Sequence, residues 1–133
     1  MAASPPPEPE LGPLQLAWLG DAVWELHQRR RLCRRPGRVR DLHRTAVAVV
    51  NAEAQARALQ RLEPWLNEIE RDLVRRGRNR AGRGPRPAEA ARYGEATGFE
   101  TMLGWLFLRD PERLTELFDR LEEIDSPLSP SGR

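Results

Sequence analysis

Asp21 is the first residue whose setting suggests chemistry. It lies within LQLAWLGDAVWELHQRR, a stretch that is apolar on nearly every side at helical spacing. A carboxylate placed there must be paired, protonated or bound to a cation. At about 100° per residue, Leu14, Ala17 and Trp24 lie on its side of the helix, with Glu25 a turn further on and Trp18 beside it. An ion pair with an arginine of another helix would also account for it. Glu100 is the second such residue, projecting to one side of an apolar face made by Phe99, Met102, Leu103 and Leu106. Ala96, Thr97 and Gly104 around it are small, as are Ala17 and Gly20 around Asp21. Two helices flanked in this way can cross closely and bring their acids together. Mg²⁺ prefers oxygen ligands and keeps several waters, and held between carboxylates it can supply a hydroxide nucleophile and stabilise charge on a phosphoryl oxygen.

The elements that must position these acids read as all-α. No segment alternates with period two over strand length, and no repeat is visible. A helix is expected from Pro13 to about Leu32, apolar all round and therefore central, with neighbours enclosing it. A second starts near Val39 or Asp41 and is interrupted at Asn51, with an Ala-rich continuation. Pro64 opens a third, PWLNEIERDLVRRGR. Gly77 to Pro87 reads as a basic loop, because its glycines and prolines cannot pack a core. A further helix starts near Pro87 or Ala88, with a possible break at Gly94, and Pro111 opens the last. The domain is expected over 13–124, between a disordered Pro-rich tail (1–12) and a second disordered tail (125–133).

Charge is segregated rather than large. The net value is +2, yet all 22 basic residues are arginine. Eight fall between Arg29 and Arg44 and eight between Arg71 and Arg92, whereas residues 110–125 hold seven acids against two arginines. The planar guanidinium fork suits phosphate oxygens, so such segments point to a polyanion, with solvated helix faces as the plainer alternative. The single cysteine, Cys33, excludes an internal disulfide and reads as a small apolar residue. Without a run of about 18 apolar residues or a leader-like start, the chain reads as soluble and cytoplasmic.

Taken in order, LGDAV (19–23), DLHRTA (41–46), VRRGRN (74–79) and TGFETMLGWLFL (97–108) resemble the catalytic domain of ribonuclease III. The closer resemblance is to its short form, the Mini-ribonuclease III family, which lacks a double-stranded-RNA-binding module. That resemblance implies an all-helical homodimer that uses Mg²⁺ to cut both strands of duplex RNA and trims the ends of the 23S ribosomal RNA precursor. Asp21 and Glu100 match the family's catalytic and metal-binding acids. The full-length pattern has two further acids, at positions held here by Ala17 and Thr97. The RNA candidates are Arg44, Arg75, Arg76, Arg78, Asn79 and Arg80 along a valley that reads A-form shape. His43 lies in the DLHR segment and reads as structural rather than as a base, since metal-bound water needs none. Trp18, Trp105 and Phe107 read as core or dimer interface rather than base-stacking platforms. The rivals are a catalytically silent module that binds ribosomal RNA during assembly, and a helical protein-interaction domain. Retention of both acids favours the enzyme, because a desolvated carboxylate without a cation or partner costs stability.

Overall fold

In the computed structural model, residues 10–34, 37–82 and 87–125 are described. They form α1 (Pro13–Cys33), α2 (Val39–Val50), α3 (Ala52–Leu62), a 3₁₀ turn (Glu63–Trp65), α4 (Glu68–Arg80), α5 (Pro87–Arg109) and α6 (Pro111–Asp125). The helix boundaries follow from local chemistry. At Gly12 the backbone amide donates to Gln15 Oε1 at 3.0 Å, and Pro13 follows as the first helical residue, where its missing N–H costs nothing. At Asn51 the break expected from sequence is a cap: its Oδ1 accepts from the Ala54 amide at 2.9 Å and starts α3.

Three expected helix boundaries change. The segment after Pro64 is a single 3₁₀ turn, and α4 begins at Glu68, because Asn67 and Glu70 form a reciprocal capping box there. That helix runs on through Gly77 to Arg80, so Arg78, Asn79 and Arg80 belong to its last turn and not to a loop. Helix α5 is continuous through Gly94, where Arg78 of α4 lies against the glycine.

Helix α5, not α1, is the axis of the bundle. It packs against α1, α3, α4 and α6, and its Phe99, Met102, Leu103 and Leu106 are almost wholly buried. Helix α1 covers one flank and is not enclosed: Leu14 and Leu26 are exposed, and Trp18 is 83% exposed. Glycine sets how closely α1 approaches. A Cβ on Gly20 would overlap the Glu100 carbonyl, and one on Gly104 would overlap the Leu16 carbonyl. The backbones therefore touch at two points on either side of the crossing.

Helix α6 is tied to α4 by a buried charge pair. Glu70, 1% exposed, accepts from Arg113 Nε at 2.7 Å and Nη2 at 3.0 Å, and the same guanidinium reaches the Trp65 carbonyl at 2.6 Å. Burial would raise the Glu70 carboxyl, but the Arg113 hydrogen bonds and the Asn67 amide hold it below its ordinary value. Of the tails expected at 1–12 and 125–133, Leu11 packs against the core and Asp125 ends α6, while 1–9, 126–133 and the 83–86 part of the basic stretch lie outside the described residues. Among the described residues no helix is long and apolar enough to cross a membrane.

Candidate active site

The crossing of α1 and α5 brings Asp21 and Glu100 together. Asp21 is solvent-facing and Glu100 half-buried, one contributed by each helix just beside the Gly20 contact. Burial first, then the hydrogen bond and negative charge of Asp21, push the Glu100 carboxyl up to about 8, while a hydrogen bond from Gln55 works in the opposite direction. Two carboxylates pressed against each other make a negative centre that either a shared proton or a cation relieves. The donor set is two carboxylates, open to solvent on the Asp21 side, and hard oxygen donors of this kind suit a divalent cation. Among the described residues no group of three or more His, Cys, Asp or Glu side chains could hold a metal ion.

The positions where the full-length pattern has further acids are closed. Ala17 is buried in the α1 interface, and the buried Thr97 donates its hydroxyl to the Tyr93 carbonyl at 2.9 Å. Neither supplies an oxygen to the pair. Glu25, which shares Asp21's stripe in sequence, is instead paired with Arg29 at 2.5 Å.

The residue that sequence reasoning missed is Gln55. It is 2% exposed in the first turns of α3, and its Nε2 lies 3.1 Å from Glu100 Oε2, 3.5 Å from Asp21 Oδ1 and 3.2 Å from the Val50 carbonyl oxygen. A signal was present. Gln55, Leu59 and Leu62 share one helical face, so a polar side chain interrupts an apolar stripe, as Asp21 does in α1.

The arginine candidates lie on two helices, Arg44 on α2 and the rest on α4. Arg75 pairs with Asp72, and Arg76, Arg78, Asn79 and Arg80 lie exposed along the end of α4. Arg44 is exposed on α2, and the His43 side chain lies outside the described residues. His27 is a packing residue: its ring stacks on Phe118 at 3.8 Å and 9°, and Glu122 nearby is already engaged by Arg34 at 3.0 Å. Trp105 packs partly buried against the core, while Phe107 stays exposed. Cys33 is exposed at the end of α1, contrary to its reading as an apolar filler.

Residues 14–111 of this helical bundle match the ribonuclease III domain family. The bundle superposes on a crystal structure of a Fusobacterium nucleatum protein with a TM-score of 0.73 at 28% identity, covering 83% of this chain and 90% of the other. A Mini-ribonuclease 3 of Synechococcus is 47% identical over 118 residues, spanning 89% of this chain and 86% of the relative. A Mini-ribonuclease 3 of Symbiobacterium thermophilum is 51% identical over 110 residues, spanning 80% and 85%. The chain belongs to the Mini-ribonuclease III family and is an endoribonuclease of the ribonuclease III type.

Proposed function

We propose that this endoribonuclease hydrolyses phosphodiester bonds of double-stranded RNA with Mg²⁺ held between Asp21 and Glu100, and that it matures the 5′ and 3′ ends of the 23S ribosomal RNA precursor in the cytoplasm. The observation that carries the reading is the carboxylate pair at the α1–α5 crossing, in a chain whose relatives bear the name Mini-ribonuclease 3. Asp21 and Glu100 are the groups that would hold the cation. When bound, Mg²⁺ supplies an activated water and neutralises charge on the scissile phosphate. The chain's own part is positional. Gly20 and Gly104 let the helix backbones meet, so the acids are fixed by backbone contact rather than by long flexible side chains. With Ala17 and Thr97 supplying no oxygen, the two carboxylates are the protein groups that would hold the cation, and Mg²⁺ is an ion that would keep water ligands there.

The enzyme acts as a homodimer in this reading. Leu14, Trp18 and Leu26 are apolar side chains left in solvent along α1, and Trp18 stands one turn before Asp21. A second copy packed on this strip would cover it and set two acid pairs beside one RNA valley. The exposed end of α4, with Arg75, Arg76, Arg78, Asn79 and Arg80, and Arg44 on α2 supply phosphate contacts without base readout.

The test is incubation of the protein with long duplex RNA and a single-stranded control, with and without Mg²⁺, alongside Asp21→Asn and Glu100→Gln. Discrete Mg²⁺-dependent cuts in the duplex that both variants lose, with the fold retained, are expected. Duplex binding that weakens steeply with salt but yields no cuts would instead make the protein a silent ribosomal-RNA-binding module. Near-normal cleavage by either variant would remove these acids from the site.

A further inference from the structure

Gln55 reaches the acid pair from a third helix, and its surroundings decide which end of its amide faces that pair. The oxygen and nitrogen ends of a glutamine amide have nearly the same shape, so their orientation follows from the partners. Here one end lies against the Val50 carbonyl, the last of α2, and against both carboxylates. A carbonyl oxygen can only accept, and so can an ionised carboxylate. An amide oxygen in that place would face the Val50 carbonyl oxygen, another acceptor, whereas the two hydrogens of the NH₂ end serve Val50 O at 3.2 Å and Glu100 Oε2 at 3.1 Å, with Asp21 Oδ1 at 3.5 Å at the edge of reach. Because Val50 O is fixed in the backbone, it locks the amide with its hydrogens toward the acids.

From this arrangement we infer that Gln55 is a positioning residue that holds the Glu100 carboxyl beside Asp21 from α3, setting in advance the pair that receives the divalent cation. The inference rests on the metal-dependent nuclease reading above and adds a function for a residue outside its acid pair. A neutral donor is suited to the task. An arginine at this position would hold the acids as well, but its charge would neutralise the pair and repel the incoming cation. An amide holds them and leaves their negative charge available. Gln55 is also better anchored than a surface residue, since it is buried on the face that carries Leu59 and Leu62.

Two substitutions separate this role from simple packing. Gln55→Met keeps length and volume and removes both N–H donors, while Gln55→Asn keeps the amide but withdraws it by one methylene. Each is compared with wild type for folding by urea denaturation, for Mg²⁺ affinity by calorimetry without RNA, and for kcat and KM on duplex RNA across Mg²⁺ concentrations. The expected result is a folded protein whose Mg²⁺ dissociation constant rises by about 10- to 100-fold. Its kcat at limiting Mg²⁺ should fall in step and recover as Mg²⁺ is raised, with KM for RNA changed by less than about twofold. Folded variants with wild-type Mg²⁺ affinity would overturn the inference, and so would loss of folding in both, which would assign Gln55 to the structure alone. A wild type that neither binds Mg²⁺ nor cleaves would instead remove the nuclease reading, and this inference with it.

Discussion

Replacing Gly20 with alanine adds one methyl group where α1 and α5 touch. In an ordinary helix interior the change stabilises by about 1 kcal/mol, because alanine loses less backbone freedom on folding. Here the new Cβ would overlap the Glu100 carbonyl oxygen and lie 2.7 Å from the carbonyl carbon and 3.0 Å from the Cα. Those atoms are backbone in mid-helix and cannot rotate away, so α5 must retreat by more than about 1 Å to regain van der Waals contact. Overpacking of this kind costs about 3 kcal/mol, the upper end of its usual range, leaving a net loss of about 2 kcal/mol. With a urea dependence of about 1.5 kcal/mol per molar for a domain of this size, the midpoint should fall by more than about 1 M. Gly82→Ala, where nothing lies within 4 Å of an added Cβ, is the control and should leave the midpoint unchanged or raised. The same retreat displaces Glu100 from Asp21, and a shift of about 1 Å at a reacting centre is enough for roughly 100-fold in kcat. A Gly20→Ala protein with wild-type midpoint and activity would refute the argument that backbone contact sets the acid pair.

Acid should weaken the fold through His27. Burial first, then the charges of Arg31, Arg34 and Arg30, lower its pKa to about 4 from an ordinary 6.5. Between those values the unfolded chain binds a proton that the folded chain refuses, so stability is full above about pH 6.5 and is lost as pH falls toward 4, by on the order of 3 kcal/mol at the end of that window. Denaturation midpoints measured across this range should fall less steeply in His27→Leu than in wild type, and parallel curves would refute the assignment. Arg113→Ala strands the buried Glu70 carboxylate and should cost about 3–5 kcal/mol. Replacing both residues by methionine should recover much of that loss, and a single-variant loss below about 1 kcal/mol in calorimetry would show that Glu70 finds another partner.

Much of the architecture was legible because it rests on local chemistry. Pro13 and Pro111 mark helix starts through the geometry of one or two residues, and a read along the chain finds them, as it finds the interruption at Asn51 that the structure resolves into a cap. The acids were legible for a related reason: Asp21 and Glu100 each stand against an otherwise apolar helix and beside small residues. Where sequence reasoning failed, two local signals competed. Pro64 suggested a helix start that the Asn67–Glu70 capping box takes instead, and Gly77 and Gly94 suggested breaks where close packing of α4 on α5 keeps both helices intact.

An all-α chain, the helix that bears each acid, the small residues that permit a close crossing and an uneven spread of arginine are all readable along the chain. That α5 rather than α1 is the axis, that the two acids meet, and that Gln55 reaches them from α3 emerges from the packing of the helices. The physical reason is that helical periodicity fixes which residues share one face, but not which face of one helix meets which face of another. That choice follows from how closely backbones can approach, and a contact joining residues 34 and 45 positions apart leaves little trace in the local pattern of any of them.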